Sequence, residues 1–235
     1  MNKTNSRSKA NGQRAAQETS TRDAILNVAE DQFAAAGYDG ASVRDIQRAA
    51  NANGGAVFYY FGTKQALYEA VFERLVEPLL QERMRRLSLC ANPADAAPRL
   101  EDILAAYIEP SLRDGFENPR RRRNFAHIQT QLLQSHHSFM RDMLARHFTR
   151  TGASFLAALA RALPDLAPRD LQWRHHTMVG ALAFAMAGTE RLRLGEITET
   201  ALVYDPADTE EALSQMIGLM TAVFRAPPAI TCERV

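Results

Sequence analysis

Residues 42–61, SVRDIQRAANANGGAVFYYF, place two short helix signals either side of a very short break, and few folds accommodate that spacing. Ser42 is an N-cap, and Asp45 sits where a capping box places an acid. Val43, Ile46 and Ala50 then form a buried stripe at helical spacing. Asn51 tolerates left-handed dihedrals and Asn53 is a strong N-cap, so a new helix is expected from about Gly54 to Phe61. An earlier helix is expected in TSTRDAILNVAEDQFAAAGY. Ser20 or Thr21 caps it, Ile25, Ala29, Phe33 and Ala36 recur on one face, and Gly37 supplies a left-handed end. Three short helices with a three-residue turn between the second and third spell a helix-turn-helix unit.

The last of these helices carries four consecutive rings, Phe58 to Phe61. Successive helical residues turn by about 100°, so one core cannot bury all four. With Val57 at the origin, Phe61 falls near 40° and Tyr59 near 200°. Val57 and Phe61 are therefore expected inside, with Gly55, Ala56 and Tyr59 outside and Phe58 and Tyr60 on the shoulders. No acidic residue occurs from Asn51 to Lys64, so nothing there repels phosphate. An acid-free helix with exposed rings suits a DNA major groove, where tyrosine hydroxyls reach phosphates and apolar groups touch thymine methyls. The competing reading is that these rings pack beneath a neighbouring helix or at a protein interface.

The stretch SVRDIQRAANANGGAVFYYFGTKQAL resembles the signature of the TetR family of bacterial transcriptional regulators through Ser42, Val43, Arg44, Asp45, Ile46, Ala49, Ala50, Gly55, Tyr60, Phe61, Lys64 and Leu67. Phe33, Gly37 and Tyr38 upstream also fit, so the likeness covers about residues 20–70. The resemblance implies that Ser42 and Arg44 hold backbone phosphates, that the third helix reads the major groove, and that Lys64 contacts phosphate. The expected DNA-facing set is Ser42, Arg44, Asn53, Gly55, Ala56, Phe58, Tyr59, Tyr60 and Lys64. Gly54 and Ala56 stand where the family often has lysine and threonine, so direct base readout is expected to be modest, with more weight on the rings and on DNA shape.

Beyond residue 63 the chain stays helical in pattern, and no stretch alternates long enough for a strand; the fold class is all-α, about nine helices. Leu67, Val71, Leu75, Leu79 and Met84 share a face of the next helix, which Pro78 is expected to kink or break. Further helices are expected at 98–114, 119–134, 138–163, 168–193 and 208–225. The expected organisation is a flexible basic arm (1–19), a helix-turn-helix domain (20–66), a ligand-binding and dimerisation domain (67–226) and a flexible tail (227–235). The resemblance implies that the helices at 168–193 and 211–224 pair across a homodimer. Tyr107, Phe125, Gln129, Met143, Trp173 and His176 are the expected lining of an apolar pocket for a small-molecule effector.

Composition excludes several alternatives. Only Cys90 and Cys232 occur, so neither a disulfide framework nor a cysteine zinc site is expected. VGALAFAMAG (179–188) falls short of the roughly 20 apolar residues that cross a bilayer. MNKTNSRSKA has no apolar segment behind it, so a cytoplasmic location and no membrane partner are expected. Adjacent histidines, His136–His137 and His175–His176, point to different sides of a helix, and no metal or other cofactor is expected. No phosphate-binding glycine loop, nucleophile elbow or zincin motif occurs, so no enzyme activity is expected. A net charge of +1 means that DNA binding must rest on local charge. The expected function is a ligand-responsive, homodimeric repressor on a palindromic operator. Two rivals share the pattern: an activator or dual regulator on the same scaffold, and an all-α small-molecule-binding protein whose helix-turn-helix is vestigial.

Overall fold

The structure, a computed structural model, describes residues 4–90, 97–116, 118–187 and 208–227, with no side chain before Thr19. Among the described residues every regular element is helical. The chain divides into two compact units, 1–74 and 75–235, and the division falls inside a helix.

The first unit holds α1 (Thr4–Gly40), α2 (Val43–Ala49), α3 (Ala56–Phe61) and the start of α4 (Lys64–Leu89). Ile25, Ala29 and Phe33 are buried on α1, Ile46 on α2 and Val57 on α3, against Leu67, Tyr68, Val71 and Phe72 of α4. Phe33 and Tyr38 both meet the Tyr68 ring edge-on, at 4.8 and 5.4 Å between centroids. Glu30 is buried there, and Arg74 pairs with it at 2.6 Å. Ala36, expected on the buried face, is exposed; it is the last residue before α1 leaves helical geometry at Gly37 (φ 72°). The structure also carries α1 back to Thr4, through most of the segment expected as a flexible basic arm. Ala10, Gln13, Arg14, Ala15, Ala16 and Gln17 are good helix formers, and nothing after Gly12 interrupts them.

The second unit holds the rest of α4, α5 (Leu100–Glu109), a π turn (Pro110–Asp114), α6 (Pro119–Gln134), α7 (Ser138–Ala162), α8 (Pro168–Ala187) and α9 (Thr209–Arg225). Local chemistry sets these limits. Asn118 caps α6, accepting from the Arg121 N–H at 3.0 Å, and Pro119 opens the helix. Asp208 caps α9 through the N–H groups of Glu210 and Glu211. The far end of α9 is closed by Arg174 of α8, which is buried and donates to the carbonyls of Phe224 (2.6 Å) and Pro227 (3.1 Å). Helix α5 buries Leu100, Ile103, Leu104, Ala106, Tyr107 and Ile108, so it is surrounded; α7 and α9 pack on it, and α6 packs on α8.

Pro78 and Pro110 act differently from each other, and the break expected at Pro78 does not occur. Helix α4 continues through Pro78 without a break: Pro78 itself is exposed, while Leu75, Val76, Leu79 and Leu80 around it are buried and hold the helix in register. The helix expected at 98–114 starts at Leu100 and ends at Pro110, where the missing N–H tips the chain into the π turn. The turn closes with the Gly115 N–H donating to the Pro110 carbonyl at 2.6 Å. Residues 91–96, the C-terminal part of the helix expected at 168–193 (residues 188–193) and the tail beyond 227 lie outside the described residues.

Candidate functional site

Two features in separate units attract attention: the outer face of α3 and a cavity in the second unit. The α2–α3 corner is assembled from backbone requirements. The Ser42 hydroxyl accepts from the Asp45 N–H at 3.3 Å and caps α2, while Asp45 itself holds Arg48 at 2.7 Å. Asn51 takes a left-handed conformation (φ 50°), as its residue type allows. The cap of α3 differs from expectation. Gly55, not Asn53, occupies the N-cap, at φ 98°, and α3 starts at Ala56. Asn53 contributes its carbonyl to the Ala56 N–H (2.9 Å) and leaves its side chain exposed. A positive φ at residue 55 is needed to reverse the chain, and only glycine takes it without strain.

A further acceptor for the start of α3 comes from α2. With its amide turned oxygen-inward, the orientation that pairs both ends, Gln47 accepts from the N–H groups of Gly55 (2.9 Å) and Ala56 (3.2 Å). Nothing in the local cap pattern of α3 pointed to Gln47. Gln47→Leu is expected to weaken the head by about 1 kcal/mol, the scale of a lost cap. Urea denaturation checks this; an unchanged midpoint would show that Gln47 does not hold the corner.

On α3, Val57 is fully buried and Tyr59 is 75% exposed. Phe58 is exposed and Tyr60 half-buried, with Tyr59 and Tyr60 in edge contact at 5.0 Å. Phe61, expected inside, is only half-buried; it lies at the last turn of a six-residue helix, with the Arg22 guanidinium 5.3 Å from its ring. Arg44 and Gly55 are exposed and Ala56 half-buried. The Lys64 ammonium lies 4.8 Å from the Tyr38 ring centre and 3.4 Å from the Asp39 carbonyl oxygen, folded back on the end of α1. Ser42, Arg44, Gly55, Ala56, Phe58, Tyr59 and Tyr60 therefore belong to the corner and outer face of one small unit.

The cavity has a volume of about 220 Å³ and lies among α4 to α8. Tyr107, Phe125 and Gln129, all expected as lining, face it. From α7 come Leu144, Phe148 and Thr151, and from α8 His175, Val179, Leu182 and Met186. Met143, Trp173 and His176 do not line it. Met143 is fully buried in the core beside Leu144, and Trp173 and His176 lie exposed on the opposite side of α8. One residue along a helix is a turn of about 100°, so the His175 side faces the cavity and the His176 side does not. Arg83 and His175 are cavity residues missed from sequence. Arg83 had a readable signal: it stands four after Leu79, in the register of the buried stripe, where a charge is out of place.

Among the described residues, no three His, Cys, Asp or Glu side chains gather as a metal would need, and no helix is long and apolar enough to cross a membrane. Fold and site define a helix-turn-helix head followed by a helical domain with its own cavity. Residues 25–71 match the family model described as bacterial regulatory proteins, tetR family, and residues 105–222 match that for the tetracyclin repressor-like C-terminal domain. The chain belongs to the TetR family of bacterial transcriptional regulators. It is 33% identical over 105 residues to the repressor Rv3405c of Mycobacterium tuberculosis, covering 45% of this chain and 53% of that one. It is 35% identical over 97 residues to the repressor NicS of Pseudomonas putida, covering 41% and 45%. The chain thus spans about half the length of the curated relatives it matches. Its fold is similar to a Rhodococcus sp. protein assigned to TetR-family regulators (TM-score 0.55, 22% identity, 87% and 98% of the two chains). It is also similar to the fatty acid degradation regulator FadR of Bacillus halodurans (TM-score 0.53, 14% identity, 87% and 98%).

Proposed function

We propose that the chain is a homodimeric repressor that holds a palindromic operator through α3 and is released when a small, largely apolar effector fills the cavity. The observation that carries the DNA-reading part is the orientation of α3. Val57 anchors it, the Tyr59 side stands free, and no acid from Asn51 to Lys64 opposes phosphate. Rings on an exposed helix have no reason to stay in water unless a partner covers them, and here the rings sit on the second helix of a helix-turn-helix. Repression is the activity named for the relatives Rv3405c and NicS.

Dimerisation through α8 and α9 is supported by their outer faces. Trp173 and Phe184 of α8 and Leu219 of α9 are exposed large apolar residues, and Gly180 and Gly218 beside them are open to a close approach. Two α3 helices in such a dimer would enter successive major grooves about 34–36 Å apart. A bacterial operator and a reducing cytoplasm follow from this role.

A mobility-shift titration against the DNA upstream of the gene tests the proposal. The affinity should fall steeply with salt, as phosphate neutralisation demands. Arg44→Ala should weaken binding on all sequences alike and lower the salt slope by about one. Tyr59→Ala should cost about 1–3 kcal/mol and also blur the preference for the operator over scrambled DNA. Absence of any shift, or equal consequences from the two variants, would overturn the assigned roles.

A further inference from the structure

The cavity wall is mostly apolar, yet its polar groups share one character. Arg83 is buried, at 4% exposure, and its partners among the described residues are neutral. Its Nε donates to the Tyr107 carbonyl at 3.0 Å and its Nη2 to the Ser111 hydroxyl at 2.7 Å. Its guanidinium carbon lies 3.8 Å from the centre of the Tyr107 ring. Those two bonds use two of the five donors that a guanidinium carries. Among the described residues lining the cavity, none is acidic. Taking a cation out of water costs several kcal/mol, and carbonyl, hydroxyl and ring offset that only in part. Burial accordingly pulls the Arg83 pKa down.

Two more groups in the same wall are incomplete. Nε2 of His175 and Oε1 of Gln129 are buried and have no hydrogen-bond partner among the described residues. Burial first, and then the positive charge of Arg83, holds the His175 imidazole below its ordinary value of 6.5, so it is neutral at pH 7 and either ring nitrogen can carry the proton. A buried polar atom without a partner costs about 1–3 kcal/mol. A wholly apolar ligand would leave these costs standing, and a cationic ligand would add repulsion from Arg83.

Resting on the reading of the cavity as the effector site, we infer that its ligand is an amphipathic carboxylate, with the anion against Arg83, His175 and Gln129 and an apolar tail among Leu144, Phe148 and Met186. The carboxylate would accept from the spare donors of Arg83 and from the His175 N–H; the Gln129 amide, turned end for end, would add a third donor. Size limits the tail. An apolar cavity of about 150 Å³ takes benzene. The present volume of about 220 Å³ therefore suits a molecule somewhat larger, such as a medium-chain acid.

Isothermal titration of the full chain with octanoate, 1-octanol and octylamine near neutral pH separates the possibilities, because the tails are matched and only the head changes. Octanoate should bind at least about tenfold more tightly than 1-octanol, the scale of one charge-assisted contact, and octylamine more weakly than either. In Arg83→Gln the advantage of octanoate over 1-octanol should shrink to about twofold; if that variant does not fold, the wild-type comparison decides alone. Equal or tighter binding of 1-octanol overturns the anion assignment and leaves the cavity as an effector site. No binding by any of the three overturns the assignment as well. A parallel mobility-shift experiment keeps the two readings apart. Octanoate that binds preferentially without releasing DNA upholds the anion and removes the regulatory role of the cavity. A chain that never shifts DNA removes the repressor while the calorimetry still decides the ligand.

Discussion

Arg74→Met is expected to destabilise the helix-turn-helix unit by about 3 kcal/mol or more, the scale of removing one partner of a buried ion pair. Glu30 is 1% exposed, and Arg74 reaches it at 2.6 Å while also donating to Asn27 at 3.0 Å. Methionine keeps the apolar stem of the arginine and removes the charge, so packing changes little and the carboxylate is left in the core. Urea unfolding measured on the intact chain should show an earlier transition for the head, with loss of DNA binding at the same denaturant concentration. The double variant Glu30→Leu with Arg74→Met should recover most of the loss, because an apolar pair of suitable volume replaces a buried ion pair at little cost. A single variant as stable as the wild type would mean that water reaches Glu30 freely.

Gly115→Ala is expected to cost about 3 kcal/mol or more, at the upper end of overpacking effects. A Cβ there would overlap the Pro110 carbonyl oxygen, the same atom that accepts the Gly115 N–H, and would stand 2.7 Å from Leu79 Cδ1. The side chain of Leu79 can give way, but the backbone of the π turn cannot. Leu79→Ala in the same chain should therefore restore only part of the stability. Because Leu79 lines the cavity, ligand affinity should change along with the unfolding midpoint. An unfolding curve identical to wild type would show that the π turn opens without penalty.

Much of the head was legible because its signals are local. Ser42 and Asp45 mark the start of α2, and Asn51 accepts the turn through its own conformational tolerance. Val57 and Tyr59 followed from helical angles alone. The cap of α3 was less legible, since Gly55 replaces Asn53 and the missing oxygen comes from Gln47 on another helix, a tertiary fact with no local sign. Phe61 failed for a related reason: angular position on a six-residue helix does not say where the core ends. In the second unit the helix starts expected at 119 and 208 fall within one residue of those that Asn118 and Asp208 cap, whereas the rotation of α8 was not readable. An assignment one residue out exchanged His175 for His176 and placed Trp173 inside. A helix apolar on two sides gives no internal sign of which side meets the core.

That exposed indole gives the chain a built-in optical probe. Trp173 is the chain's single tryptophan, it is 62% exposed, and the His176 ring lies 6.2 Å away in edge contact. Its emission should be red-shifted in dilute solution and, under the proposed pairing of subunits across α8, move to the blue as concentration rises. Filling the cavity on the far side of the helix should leave the wavelength nearly constant. One intrinsic fluorophore thus separates assembly from ligation without a label.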